Sequence, residues 1–200
     1  MKQKTLIFDL DGTLVDAKEL HHASFEWAIK QQCPEFVLTE NMKVRFEGIP
    51  TLNKVELLNN DGYSIESSKA YNDKQKHTEL HTHMLSWHPG LPKLLDTLSN
   101  TYNLSLVSNA RSHFVYSVMS LMNMTKFDIV LTANFASMDK RKPDPYLFNT
   151  AIELLNCDPK QTTIFEDSET GLEAARDSMA ANIIRVNNSA DTYSHLERLL

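Results

Sequence analysis

The sequence predicts an α/β protein, a doubly wound parallel sheet carrying an all-helical insert. Three features lead there. Several apolar, β-branched runs are uninterrupted by the polar alternation of a one-sided sheet. In the second half of the chain these runs alternate regularly with helical stripes. The first run is separated from the second by a long stretch of helical pattern only. Uninterrupted runs are expected where helices cover both faces of a parallel sheet, and strict strand–helix alternation is the mark of βα units.

Taken in chain order, the first strand spans Thr5 to Leu10. The segment after it reads as helical: Leu20, Ala23 and Trp27 share a face that ends before Pro34, Val55, Leu57 and Leu58 share another, and Ile65 to Trp87 is polar and helix-compatible. A crossover of this length exceeds the needs of one βαβ unit. The predicted division is therefore a core of residues 1–16 and 87–200 and a helical insert over 17–86, with hinges near Asp16 and near His88-Pro89-Gly90. Later strands are expected at Leu104–Val107, Phe127–Leu131, Thr162–Phe165 and Ile183–Val186. Between them, Leu147, Phe148, Ala151, Ile152, Leu154 and Leu155 form a helix opened by Asp144 as N-cap and Pro145 at its first position. Leu172, Ala175 and Met179 form another, capped by Ser168.

Bulk properties narrow the function classes. With 200 residues and 42% hydrophobic content the chain can bury a real core. Its formal charge of −6 carries no nucleic-acid footprint. The opening MKQKTLIFDL runs straight into a strand broken by Asp9 and Asp11, which excludes a signal-peptide core, and no stretch reaches the roughly 18 apolar residues of a membrane span. Cys33 and Cys157 lack metal-ligand spacing and read as free thiols of a reducing compartment. A cytoplasmic protein without nucleic-acid or membrane partners, monomeric or homodimeric, is the expectation.

Three motifs fall at strand ends, and a fourth follows another strand. Asp9-Leu10-Asp11-Gly12-Thr13 places two carboxylates where a strand starts to turn, tolerable if a cation lies between them or one holds a proton. A calcium loop is the rival reading, but its twelfth position is Leu20 and the bidentate Glu is missing. Ser108 and Asn109 close the second strand with a hydroxyl that suits a phosphate oxygen or, more plainly, a helix cap. Lys142, in Arg141-Lys142-Pro143-Asp144-Pro145, sits ahead of a helix N-terminus, where it can balance a phosphoryl group or simply be a loop lysine. Glu166 and Asp167 end another apolar strand, as oxygen ligands for magnesium or as acids of a helix's first turn. Ligands bind outside the carboxyl ends of strands in open α/β sheets, so the four together point to one crevice.

In these four motifs, in order and across essentially the whole chain, the sequence resembles the haloacid dehalogenase superfamily, in its branch with a helical cap after the first motif, close to β-phosphoglucomutase and phosphoglycolate phosphatase. The resemblance implies Asp9 as the nucleophile that becomes an aspartyl-phosphate and Asp11 as general acid and base. It implies Ser108, Asn109 and Lys142 at the phosphoryl group, and Mg2+ held by Asp9, Asp11 (through its main-chain carbonyl), Asp167 and, directly or through water, Glu166. Asp11 favours phosphate esters over halides, because a leaving alkoxide needs a proton and a halide does not. The expected activity is hydrolysis of a small phosphorylated metabolite. A sugar-phosphate mutase and a non-catalytic phospho-switch or binding protein are the alternatives.

Substrate choice is expected in the cap. By the same resemblance His21 partners the acid–base aspartate, the loop Phe46-Glu47-Gly48-Ile49-Pro50 reaches the substrate around Gly48, and Lys76 matches a cap lysine. Thr51 departs from the arginine that sugar-phosphate mutases place there, which weakens the mutase reading. His77, His81 and His83 read as the solvated face of a cap helix rather than a zinc site.

Overall fold

The computed structural model describes residues 4–200; the first three residues, part of the N-terminal reading above, lie outside the described residues. Five strands form one all-parallel sheet in the order β3-β2-β1-β4-β5. They are β1 (Lys4–Phe8), β2 (Tyr102–Val107), β3 (Ile129–Leu131), β4 (Thr162–Glu166) and β5 (Asn182–Arg185). The chain divides into two compact units, one running up to Asp16 and again over Ser86–Leu200, the other Ala17–Leu85.

In the first unit the helices are α5 (Leu91–Leu98), α6 (Ser112–Leu121), α7 (Tyr146–Leu154), α8 (Glu169–Arg176) and α9 (Ser189–Glu197). Residues Ile7, Val107 and Ile164 point to one sheet face, where they pack with Leu147, Phe148, Ala151 and Ile152 of α7 and Ala174 and Ala175 of α8. On the opposite face, Phe8 stacks on Phe165 with ring centroids 5.0 Å apart and meets Phe127 edge-on at 6.3 Å. The doubly wound expectation is met, with β1 at the centre and the order reversing between β1 and β4.

Two helix boundaries differ from the sequence reading. Pro145 caps α7 and Tyr146 opens it, while the Asp144 carboxylate accepts from Tyr146 N–H at 2.9 Å. Asp and Pro there make an Asx-type turn before the helix, which periodicity does not distinguish from a cap. Helix α8 stops at Arg176, so Met179 lies beyond it and is exposed. Ser168 caps it as expected, accepting from Gly171 N–H at 3.1 Å.

The second unit contains α1 (Lys18–Lys30), α2 (Glu40–Arg45), α3 (Thr51–Asn60) and α4 (Ser67–Leu80). Phe25, Ile29, Phe36, Phe46, Val55, Leu58 and Ala70 form its separate core. The buried face of α1 carries Leu20, Ser24, Phe25, Ala28 and Ile29, at helical spacing. Trp27, expected on that face, is 38% exposed and lies against the His77 ring at 4.8 Å. The histidines are also less solvated than expected: His77 bonds Ser24 Oγ at 3.0 Å and stacks on His81 at 3.8 Å. An amphipathic ring counts as polar in a periodicity argument yet packs like an aromatic. No helix among the described residues is long and apolar enough to cross a membrane.

The two chain passages at the edge of the first unit are tied together. Asp16 N–H donates to Ser86 carbonyl at 2.7 Å, and the Asp16 carboxylate accepts from Ser189 N–H at 2.9 Å and Ser189 Oγ at 2.8 Å, at the start of α9. Ser189 Oγ in turn accepts from His88 N–H at 2.9 Å.

Replacing Phe8, which is fully buried between two aromatic partners, tests this packing. Phe8→Ala is expected to lower unfolding free energy by about 3–5 kcal/mol, read from a chemical denaturation curve with an unchanged slope.

Candidate active site

The site is built where β1, β2 and β4 end. Immediately after β1, Leu10 carbonyl accepts from Thr13, Leu14 and Val15 N–H, and Gly12 takes φ +87°. This tight turn halts the strand with Asp9 buried just past its last residue. An L side chain is strained at that φ, and a Cβ on Gly12 would collide with the Asp167 carboxylate, so the acid from β4 approaches only because this position has no side chain.

Lys142 is the centre of the arrangement. Its Nζ donates to Asp9 Oδ1 at 2.6 Å, Glu166 Oε2 at 2.7 Å and Val107 carbonyl at 2.9 Å, which uses all three ammonium hydrogens. The ammonium also lies 4.8 Å from the Phe148 ring centroid. Burial by itself would pull this lysine down, but the charges of Asp9 and Glu166 and their hydrogen bonds overcome it and leave the pKa raised. The lysine that could have been an exposed loop residue is thus a buried cation.

Asn109 positions it. Asn109 Nδ2 donates to Lys142 carbonyl at 2.9 Å, and its Oδ1 accepts from Lys142 N–H at 3.1 Å. The amide assigned above to phosphate thus also grips the lysine's main chain, with one Nδ2 hydrogen left to donate. Ser108 is buried, and its Oγ accepts from Ala110 N–H at 3.0 Å, leaving the hydroxyl proton available to donate.

Glu166, the last residue of β4, is fully buried. Its Oε1 accepts from Asp167 N–H at 3.1 Å, Ser168 N–H at 3.1 Å and Ser168 Oγ at 2.8 Å, at the start of α8. Burial opposes its ionisation, yet Lys142 and these donors prevail, and its pKa is lowered. Gly171 makes room for it: a Cβ there would run into the Glu166 carboxylate. Glycine in a helix's first turn costs helix propensity, and that oddity was the one sequence signal for this role.

The remaining acids carry the cost of the shared crevice. Asp9 is raised well above the ordinary carboxylate range by burial first and the Glu166 charge next, with Lys142 opposing. Asp167 is pushed up to about 7, again by burial and then by Glu166. One oxygen each of Asp9, Glu166 and Asp167 lie within 4.8 Å of one another. Asp167 Oδ1 is buried with no hydrogen-bond partner among the described residues. An all-oxygen set with an unsatisfied carboxylate and excess negative charge fits a hard divalent cation such as magnesium. Within that set Glu166 has its oxygens engaged, whereas Asp9 and Asp167 keep oxygen lone pairs for a cation. The Asp11 side chain is not part of the triad; it lies two residues past Asp9 in the turn.

Three sequence-assigned residues belong to the helical unit. His21 lies on α1, and its Nδ1 is 3.1 Å from Lys74 Nζ. Lys76 is exposed on α4; the buried lysine of that helix is Lys74. Gly48 takes φ +71° in the exposed loop ahead of α3, where an added Cβ meets nothing within 4 Å, and Thr51 opens that helix.

Comparison with known proteins matches this chain to the haloacid dehalogenase-like hydrolase family over residues 6–184. A phosphorylated carbohydrates phosphatase from Thermotoga maritima is 25% identical over 191 residues, covering 93% of this chain and 86% of the relative. The pyrophosphatase PpaX from Oceanobacillus iheyensis is 28% identical over 172 residues, covering 84% and 76%. In fold, the chain is similar to a Lactobacillus plantarum crystal structure provisionally assigned as a phosphoglycolate phosphatase, with a TM-score of 0.77 at 20% identity over 98% of this chain and all of the other. With the family model running from within β1 to within β5 and over all four motifs, the chain belongs to the haloacid dehalogenase-like hydrolases.

Proposed function

We propose that the chain is a magnesium-dependent phosphomonoester hydrolase that takes the phosphoryl group of a small phosphorylated metabolite through an aspartyl-phosphate on Asp9. The observation that carries this reading is the buried Lys142 ammonium held between Asp9 and Glu166, with the Asp167 carboxylate alongside. Such a set offers carboxylates to a divalent ion in one water-poor spot, and the ion and the ammonium together offset the negative charge of an incoming phosphoryl group.

Lys142 engages Asp9 Oδ1, which leaves Oδ2 as the attacking atom. Asp9 Oδ2 bonds to phosphorus as the ester P–O bond breaks, and Asp11 gives its proton to the departing alkoxide. Asp11, now a carboxylate, takes a proton from water whose oxygen attacks phosphorus; inorganic phosphate leaves and Asp9 is restored. Acid–base assistance of this kind is worth about 10²–10⁴ in rate. Ser108 donates its hydroxyl proton to a phosphoryl oxygen, and Lys142 balances the charge on the others. Asn109 acts by holding the Lys142 main chain. Asp9, Asp167 and the main-chain carbonyl of Asp11 would hold magnesium, with Glu166 supporting them; when bound, it supplies positive charge opposite the phosphoryl oxygens. We assign substrate choice to the helical unit, through His21 with its partner Lys74 and the loop around Gly48. The phosphatase and pyrophosphatase relatives favour release of inorganic phosphate over transfer within a sugar phosphate.

A phosphate-release screen over sugar phosphates, phosphoglycolate, polyol phosphates, nucleotides and pyrophosphate is expected to find a substrate, with turnover lost in EDTA and restored by magnesium. An isomerised sugar phosphate without free phosphate would identify a mutase instead. Asp9→Asn is expected to reduce turnover to background while the denaturation midpoint stays at or above that of the parent, since an uncharged amide relieves the carboxylate repulsion. For Asp11→Asn, the loss is expected to be about 10²–10⁴-fold on alkyl phosphates and much smaller on p-nitrophenyl phosphate, whose leaving group needs no proton.

A further inference from the structure

A cavity of about 310 Å³ opens at the other end of the sheet, among the starts of the strands. Its size lies at the lower end of the about 300–1,000 Å³ common for small-molecule sites. The sheet register explains its floor. Leu6 pairs with Thr163, and Phe165 with Ile184, so the side chains of Lys4, Leu6, Phe165 and Ile184 line one continuous face. His195 of α9 and Lys160, just ahead of β4, close its sides.

The charge of this lining runs against the rest of the chain. In a protein of formal charge −6, the cavity is lined by two lysines and a histidine and by no carboxylate. Lys18, Lys30, Lys43, Lys69 and Lys140 each hold a carboxylate within 3.2 Å, yet Lys4 and Lys160 hold none among the described residues. Outside the lining, Asp191 stands 3.7 Å from His195, and the Asp158 carboxylate accepts from the Lys160 main-chain N–H at 2.9 Å. Two lysines that no ion pair engages among the described residues, beside apolar lining, match a molecule with an anionic group at one end and an apolar body at the other.

We propose that this cavity is an effector site for a small amphipathic organic anion, with its charged group between Lys4 and Lys160 and its body against Tyr102, Ile184 and Leu199, above the buried Leu6 and Phe165. Its route to the reaction centre is short. Phe165 directly precedes Glu166 and stacks on Phe8, which directly precedes Asp9, so an occupant bears on the two strands that deliver both carboxylates to Lys142.

The test is calorimetric titration of the full chain with 8-anilinonaphthalene-1-sulfonate, an aromatic sulfonate of this shape, with inorganic phosphate as a second arm. One saturable site per chain is expected, weakened at least about tenfold in the exposed-lysine double variant Lys4→Glu/Lys160→Glu and retained in Lys4→Arg/Lys160→Arg. Unchanged affinity in the Glu variant, or no saturable binding by the parent, would overturn the site. Phosphate displacing the probe at equal concentration would overturn the role of the apolar floor. Saturating probe is also expected to change kcat/KM in the parent and not in the Glu variant; an unchanged rate would remove the effector role. Because binding is read without turnover, these outcomes stand apart from the hydrolase reading itself.

Discussion

A single buried ammonium holds the catalytic end of this protein together. Lys142 brings the end of β1, the end of β2 and the end of β4 to one point through Asp9, Val107 and Glu166. Stripping water from such charges is expensive, and their mutual attraction compensates only when geometry and hydrogen bonding are both good. Here the ammonium is fully coordinated, and Glu166 is fully satisfied by the start of α8. The imbalance falls on Asp9 and Asp167, whose pKa values are raised by burial first and by the Glu166 charge next. Saturation of one carboxylate and a deficit at two others divides the acids into a strut and a pair open to a cation.

That division was only partly legible in the amino-acid sequence. The parallel sheet was legible because apolar runs such as Thr162 to Phe165 need cover on both faces, and the strand ends followed from where those runs break into Asp, Ser or Glu. The burial of Lys142 was not legible. Its fate depends on Asn109, thirty-three positions away, gripping its main chain, and on the three acceptors that converge on it, none of which is a local pattern. Gly171 shows the same limit, for its importance lies in the space left for a carboxylate that packs onto it through the fold. Helix ends went astray where a proline and an Asx turn imitate a cap, as at Asp144-Pro145.

The helical unit was harder to read for a different reason. Its helices are polar on average, and aromatic or histidine rings do part of the packing that aliphatic residues do elsewhere. His77 stacks on His81 and Trp27 lies tilted against His77, ring contacts that a pattern counting histidine as polar does not show. Lys74 similarly occupies a buried position on α4 between Ala70 and Thr78, one turn on either side, so the interior stripe of that helix contains a cation opposite His21. Polarity patterns identify which elements exist more readily than which polar side chains turn inward.

The backbone link between Asp16 and Ser86, pinned to the first turn of α9 through Ser189, has a consequence for how such a protein can change over time. The two points where the chain departs from and rejoins the sheet-bearing unit are already joined, so everything between them is a loop whose base is closed. Entropy of closure grows only logarithmically with the number of residues enclosed. The sheet-bearing unit therefore tolerates lengthening, shortening or wholesale replacement of that excursion with little thermodynamic penalty, which lets the elements assigned to substrate choice diverge while the phosphoryl chemistry stays as it is.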